Sequence, residues 1–402
     1  MGYTKQAIMG VGWFGGLRVA VKALAIVKLA ILARILSPSD FGVFGITVAV
    51  LALIERLTET GINTFLVQKR DDFRLYVNSA WVIAIVRGGI IALLLLLLSQ
   101  ILPQFYSAPS LFLFLIAASF IPFIKGFINP SIVKFWKELS YSKDAVYRGT
   151  ISLSEGLLTI GLTLWFRSPV AMVLALVASA VLEVLLSHIV VEPRPKFIVD
   201  KKRAVSILMA SRLLNLGSFF SFLVTNLDNL IVGKILGISA LGFYQNAYNV
   251  ANSTVGEIGD LSAQTVFPIY ANIRDDKARL RRAVLRALVP LAIVASLPVI
   301  FILSTPETLV RILLGERWLA IVPLFPFLLS ALYIKSLNAV VYPLFLALER
   351  VYLNVGVLFV QIIALVALII PLSLRYGLLG ASSAVLFSYI IIQPLLLFFV
   401  VP

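Results

Sequence analysis

The chain has 402 residues, of which 60% are hydrophobic and only 13% charged, and its mean hydropathy is +1.02. Soluble domains average about 25% charged residues, so no water-solvated core accounts for this composition and lipid must surround most of the chain. With no cysteine and a single histidine, His188, disulfide frameworks, thiolate metal sites and cysteine nucleophiles are excluded, and histidine-based acid–base chemistry is argued against.

A helix needs about 20 apolar residues to cross a bilayer, where only structures that satisfy their own backbone hydrogen bonds survive. Reading between charged and Pro/Gly breaks predicts twelve spans: 6–36, 41–68, 75–102, 109–129, 147–166, 169–191, 203–236, 240–271, 280–304, 319–348, 351–374 and 377–401. Lys5 is followed by apolar residues, but Arg18, Lys22 and Lys28 interrupt any signal-peptide core, so the first segment reads as a retained span. Alternate connectors hold nineteen Lys and Arg residues against four (Arg167, Arg311, Arg317 and Arg375) in the others. That bias predicts a multi-pass membrane protein with both termini cytoplasmic. It also explains most of the +15 net charge as orientation signal and lipid-headgroup contact rather than nucleic-acid binding.

With Arg148, Arg203, Arg281 and Arg282 at the span edges counted among the connectors, eleven Lys and Arg and seven Asp and Glu remain inside the spans, an excess of four positive charges. Each costs about 2.5–3.5 kcal/mol near the membrane centre and therefore wants a partner or a watery path. Arg18, Lys22 and Lys28 fall on one side of the first span, and Arg18 and Lys22 present like charges to the same space. Such a pair suits an anion between them; the plain alternative is pairing with Glu55 and Glu59 on the second span. Arg212 opens a comparable side of the seventh. On the eighth, Asn246, Asn249, Ser253, Glu257, Asp260 and Gln264 align at helical spacing as a polar stripe on an apolar helix. Glu257 and Asp260, with Glu55 and Glu59 as a second pair, are candidates for carrying H+ or Na+. No cofactor or metal is implied. "GVGWFG", Gly10 to Gly15, matches a dinucleotide fingerprint in letters only, because no strand precedes it.

The chain also repeats itself. "ILARILSPSDFGVFGITVAV", Ile31 to Val50, overlies residues 231–250 at an offset of 200, so that Arg34 meets Lys234, Gly42 meets Gly242 and Phe44 meets Tyr244. "KRDD" at Lys69–Asp72 answers "IRDD" at Ile273–Asp276. Six spans separate the copies, an even number, so both halves insert with one polarity, as in the parallel repeats of secondary transporters. The expected organisation is a six-helix bundle over 1–191, a cytoplasmic linker over 192–203 and a second six-helix bundle over 204–402. The binding site is expected where the polar stripes of spans one, two, seven and eight meet.

"ILSPSDFGVFGI", "DNLIVGKILGISALGFYQNAYNV", "FPIYANIRDDKARLRRAVLRAL" and "LVRILLGERW" resemble the polysaccharide transporter, or oligosaccharide flippase, family of the multidrug/oligosaccharidyl-lipid/polysaccharide exporter superfamily. The resemblance covers nearly the whole chain. It implies two six-helix bundles in a V with alternating access, and movement of undecaprenyl-pyrophosphate-linked oligosaccharide to the outer leaflet. It further implies a cationic cavity, with Arg18, Lys22 and Arg212 matching by position. Expected partners are this lipid-linked substrate, membrane lipids, and the polymerase and glycosyltransferases of one pathway; the transporter itself is expected to be a monomer. A multidrug exporter of the same superfamily would favour an acidic cavity for its cationic cargo. A polymerase or ligase would need a large outer loop with a catalytic set, and 304–318 offers only Glu307, Arg311, Glu316 and Arg317.

Overall fold

The computed structural model describes residues 3–68, 72–138, 140–210 and 215–400, and the regular structure among them is entirely helical. Contacts divide the chain into two compact units. One comprises residues 1–37 and 47–215, the other 38–46 and 216–402.

The first unit contains α1 (Tyr3–Ile35), most of α2 (Pro38–Leu57), α3 (Ile62–Gln68), α4 (Arg74–Phe105), α5 (Leu111–Lys125), α6 (Lys134–Lys137), α7 (Tyr141–Phe166), α8 (Val170–Val190) and α9 (Lys201–Ala210). α1 packs on α7, α4 on α5, and α8 on both α5 and α7. The run read as one span over 41–68 bends by 45° between α2 and α3, where Gly61 supplies a positive φ of 56° that residues with a Cβ avoid. Beneath the bend, Leu66, Phe73, Val77, Ala80, Val133 and Ile207 form a buried cluster.

Residues 192–203, expected as a linker, are fastened to this unit. Asn129 Nδ2 donates to the carbonyls of Val191 and Pro193, both at 3.2 Å, and Ser131 Oγ donates to Pro193 at 2.8 Å. The backbone amides of Lys196 and Asp200 donate to Asn78 Oδ1 at 2.8 Å and Ser79 Oγ at 3.1 Å. Phe197 sets its ring edge-on to Trp81 with 4.8 Å between centroids. A polar connector satisfies its backbone where donors and acceptors are on offer, and here side chains of one unit offer both.

The second unit holds α10 (Asn215–Ile235, from Leu216), α11 (Ile238–Ala251), a π-helical turn (Asn252–Gly256), α12 (Glu257–Asn272), α13 (Lys277–Ser304), α14 (Pro306–Leu313), a 3-10 stretch (Glu316–Leu324), α15 (Phe325–Ala347) and α16 (Val351–Val400). Asp276 caps α13 by accepting from the Arg279 amide at 2.9 Å, as a carboxylate at a helix start should. α16 is broken at Gly377, whose φ is 60°, so it covers two expected spans.

Pro38–Ile46, the start of α2, belongs to this second unit, and its contacts display the repeat directly. A Cβ at Gly42 would strike the carbonyl of Ile238, a Cβ at Gly242 would strike the carbonyl of Pro38, and a Cβ at Gly45 would strike the Gln245 side chain. Each contact maps onto another, or onto itself, when 200 is added to one number and removed from the other. That reciprocity is the signature of a two-fold relation. Phe41 and Phe243 both stand edge-on to the fully buried Trp318, at 5.3 and 5.5 Å.

Among the described residues the expected spans fall on helices, the eleventh and twelfth both within α16. Five helices among the described residues meet a length-and-hydropathy criterion for crossing a membrane, and seven do if each bent pair counts once. The difference has physical sources. α7 carries Asp144, Arg148 and Glu155, α11 and α12 are separated by the π turn, and α16 counts once despite its break.

Candidate functional site

The cations expected on the first span behave differently from one another. The Arg18 side chain and Arg212 lie outside the described residues. Lys22 is half-buried on α1. Lys28 is engaged: its Nζ donates to both oxygens of Glu155 on α7, at 3.1 and 3.2 Å. Thr159 Oγ1, one turn further along, donates to the Glu155 backbone carbonyl at 2.7 Å and lies 3.1 Å from Glu155 Oε1. The partner of Lys28 is thus Glu155 on α7. A second intramembrane pair follows the same logic, with Lys125 3.6 Å from Glu183.

At the end of α2, Glu59 pairs with Arg56 at 3.1 Å. Arg87 of α4 donates to the backbone carbonyl of Glu55 at 2.7 Å, and both Glu55 and Glu59 act on its guanidinium electrostatically. The acids therefore sit among arginines of α2 and α4, which partly neutralises them.

The stripe of the eighth span survives with one member displaced. Asn249, Ser253, Asp260 and Gln264 are exposed and Glu257 is half-buried, whereas Asn246 is fully buried and donates to the Gly242 carbonyl at 3.0 Å. The π turn explains this. One extra residue per turn sets α12 back relative to α11 and recentres the stripe on Asn249, away from Asn246. The carbonyl of Val255 inside that turn is taken by the Ser336 hydroxyl of α15 at 2.7 Å, so the irregular turn is satisfied. Four exposed polar side chains on one face of an otherwise apolar helix are expensive against hydrocarbon and cheap against water. Among the described residues no group of three or more His, Cys, Asp or Glu could hold a metal ion.

Asp228 is one of the seven acids counted inside the spans, and sequence reasoning gave it neither a role nor a partner. It is 3% exposed, and the fully buried Tyr244 donates to its Oδ2 at 2.6 Å. Residues 16 apart on two different helices share no periodic signal, so nothing in the sequence announces this pair.

These features, a repeated helical membrane bundle with fixed charges inside it, define a polytopic transporter-type fold. The model of the polysaccharide biosynthesis protein family matches residues 31–323, and the chain belongs to that family. It is 24% identical over 98% of its length to the lipopolysaccharide biosynthesis protein WzxC of Escherichia coli, of which 83% is covered. It is 25% identical over 80% of its length to the teichuronic acid biosynthesis protein TuaB of Bacillus subtilis, of which 67% is covered. Among solved structures, an inward closed lipid II flippase MurJ superposes with a TM-score of 0.77 at 13% identity, covering 96% of this chain and 87% of that one. An inward-facing MATE multidrug transporter superposes with 0.71 at 13%, covering 96% and 97%. At such identities these two likenesses establish the fold alone.

Proposed function

We propose that this protein is a flippase that moves a lipid-linked oligosaccharide from the cytoplasmic to the outer leaflet of the cell membrane by alternating access. The carrying observation is that, within a chain of the polysaccharide biosynthesis family, the interiors of the spans expected from the sequence hold four more Lys and Arg than Asp and Glu. A lipid-linked sugar joined through pyrophosphate brings an anion into roughly 30 Å of hydrocarbon, and fixed Arg and Lys replace the hydration it loses, Arg by bidentate contacts. Arg18, Lys22 and Arg212 are the residues proposed to meet the pyrophosphate; Lys28, held by Glu155, is left out of that set. The exposed polar stripe from Asn249 to Gln264 is proposed to line the sugar's watery route. Relatives named for lipopolysaccharide and teichuronic acid biosynthesis support the cargo class, and undecaprenyl is the proposed lipid.

The chain has no G-x-x-x-x-G-K-[ST] sequence, so the proposed drive is an H+ or Na+ gradient acting through Glu257 and Asp260, not bound nucleotide. The proposed protein is a monomer with both termini cytoplasmic, feeding a polymerase and fed by glycosyltransferases. A multidrug exporter would share the fold, but cationic drugs would meet the wrong sign of charge. The test is delivery of labelled undecaprenyl-pyrophosphate oligosaccharide to the outer leaflet of reconstituted vesicles. Arg18→Gln, Lys22→Gln and Arg212→Gln are each expected to insert normally and to flip at a small fraction of the wild-type rate. Wild-type delivery by all three variants would refute the role.

A further inference from the structure

α13 has two opposite faces. Leu280, Val284, Leu291 and Ala295 are buried, on a helix that packs against α12 and α15. Val289, Ile293, Leu297 and Ile300 are 59–61% exposed, and at about 100° per residue they share an arc of about 80° opposite the buried set. Ala278–Ser304 is long and apolar enough to cross a membrane, so this stripe meets acyl chains. Arg279, Arg282 and Arg286 are exposed and fall within the same arc. The stripe therefore turns from apolar to cationic along its own length.

Other arginines of the connectors have carboxylate partners. Arg74, Arg148, Arg203 and Arg274 pair with Asp72, Asp144, Asp200 and Glu349. Among the described residues no ion pair reaches Arg279, Arg282 or Arg286. Asp276 is engaged at the helix cap, accepting from the Arg279 amide at 2.9 Å, and Asp275 forms no ion pair with them. Arg282 Nε donates to the Ala278 carbonyl at 3.3 Å, which uses one of its five donors.

Depth agrees with charge. At 1.5 Å per residue, Ser304 lies about 27 Å along α13 from Arg286, close to the roughly 30 Å of a bilayer core. Arg279 lies about 10 Å from Arg286 in the other direction. With Ser304 at one edge of the hydrocarbon, the three arginines occupy the opposite headgroup layer, and their stems can extend toward it.

We propose that Arg279, Arg282 and Arg286 form a binding site for an anionic glycerophospholipid of the surrounding membrane. The guanidiniums hold its phosphate, and an acyl chain lies along Val289, Ile293 and Leu297. The site is independent of the proposed cargo. Arginine's planar fork grips phosphate oxygens in pairs, and basic clusters at a membrane edge recruit anionic lipid. A zwitterionic lipid brings an ammonium as well, which three neighbouring cations repel. Occupancy neutralises like charges crowded on one face and stabilises the second unit by mass action.

The probe is phosphatidylglycerol, with phosphatidylcholine as the zwitterionic control, added to the purified full chain in detergent. Native mass spectrometry of the wild type is expected to show phosphatidylglycerol retained over phosphatidylcholine by about tenfold. Phosphatidylglycerol alone is expected to raise the unfolding temperature by several degrees. Arg279→Gln/Arg282→Gln/Arg286→Gln is expected to lose both effects. Arg74→Gln/Lys134→Gln/Arg148→Gln removes the same charge from ion-paired positions and is expected to keep them. Equal retention of the two lipids by the wild type would overturn the proposal, as would loss of the preference in both triple variants. Complete displacement of phosphatidylglycerol by equimolar undecaprenyl pyrophosphate would also overturn it, because the site would then belong to the cargo. If the α13 triple variant does not fold, Arg282→Gln and Arg286→Gln singly are each expected to lower the preference severalfold, and an unchanged preference in both would refute the site.

Discussion

Neutralising Lys28 leaves Glu155 charged and half-buried among apolar residues of α1 and α7, and the structure sets the size of the penalty. Two unit charges about 4 Å apart attract by roughly 4 kcal/mol at an effective dielectric of about 20. The side chains are 27% and 23% exposed, so water reaches both and screens part of that attraction. Stranding one member of a buried pair costs about 3–5 kcal/mol when burial is complete. For this partly exposed pair the expectation is about 1.5–3 kcal/mol for Lys28→Met or Glu155→Gln alone. The double variant should lose no more than either single, giving a coupling energy of at least about 1.5–3 kcal/mol. Chemical denaturation in detergent micelles, with the slope held equal across the four proteins, measures this directly. Flipping by the double variant should stay near the wild-type rate, since no charge is left stranded. Additive single effects, or a well-folded double variant that cannot flip, would refute the reasoning and return Lys28 to the anion-binding set.

Three further outcomes are expected. Cysteines at Ser39 and Ser239, both exposed at equivalent helix starts, should form a crosslink whose yield falls when cargo shifts the access state; a yield indifferent to cargo would argue for a static bundle. Gly242→Val puts a side chain against the Pro38 carbonyl and should destabilise by about 1–3 kcal/mol through overpacking, read as a lower unfolding midpoint. Glu257→Gln with Asp260→Asn should remove any dependence of flipping on an imposed pH or Na+ gradient, since one charge moved through 100 mV is worth about 2.3 kcal/mol; a wild-type gradient response in that variant would place coupling elsewhere, with Glu55 and Glu59 next.

Much of this architecture is written along the chain. Helix positions follow from runs of apolar residues ended by charge, Pro or Gly, because the bilayer demands about 20 such residues and closed hydrogen bonding. The repeat follows from letters 200 apart, and the polar stripe from 3.6-residue spacing. These signals are local or self-similar, so no three-dimensional information is needed to read them. Partnership is another matter. Lys28 and Glu155 are separated by 127 residues, and only the packing of α1 on α7 brings them together. Asn246 left the stripe because a π turn, invisible to a constant 100° rotation, changed the phase of the helix. Residues 38–46 joined the second unit, although the chain enters them from the first, because two glycines let the repeated turns meet backbone to backbone. Residues 192–203 look like a free tether by composition, yet Asn129, Ser131, Asn78 and Ser79 hold them to one unit. Hydropathy and period are properties of a segment, whereas which segments touch depends on shape, on the donors left over at helix ends, and on where a single Cβ would not fit.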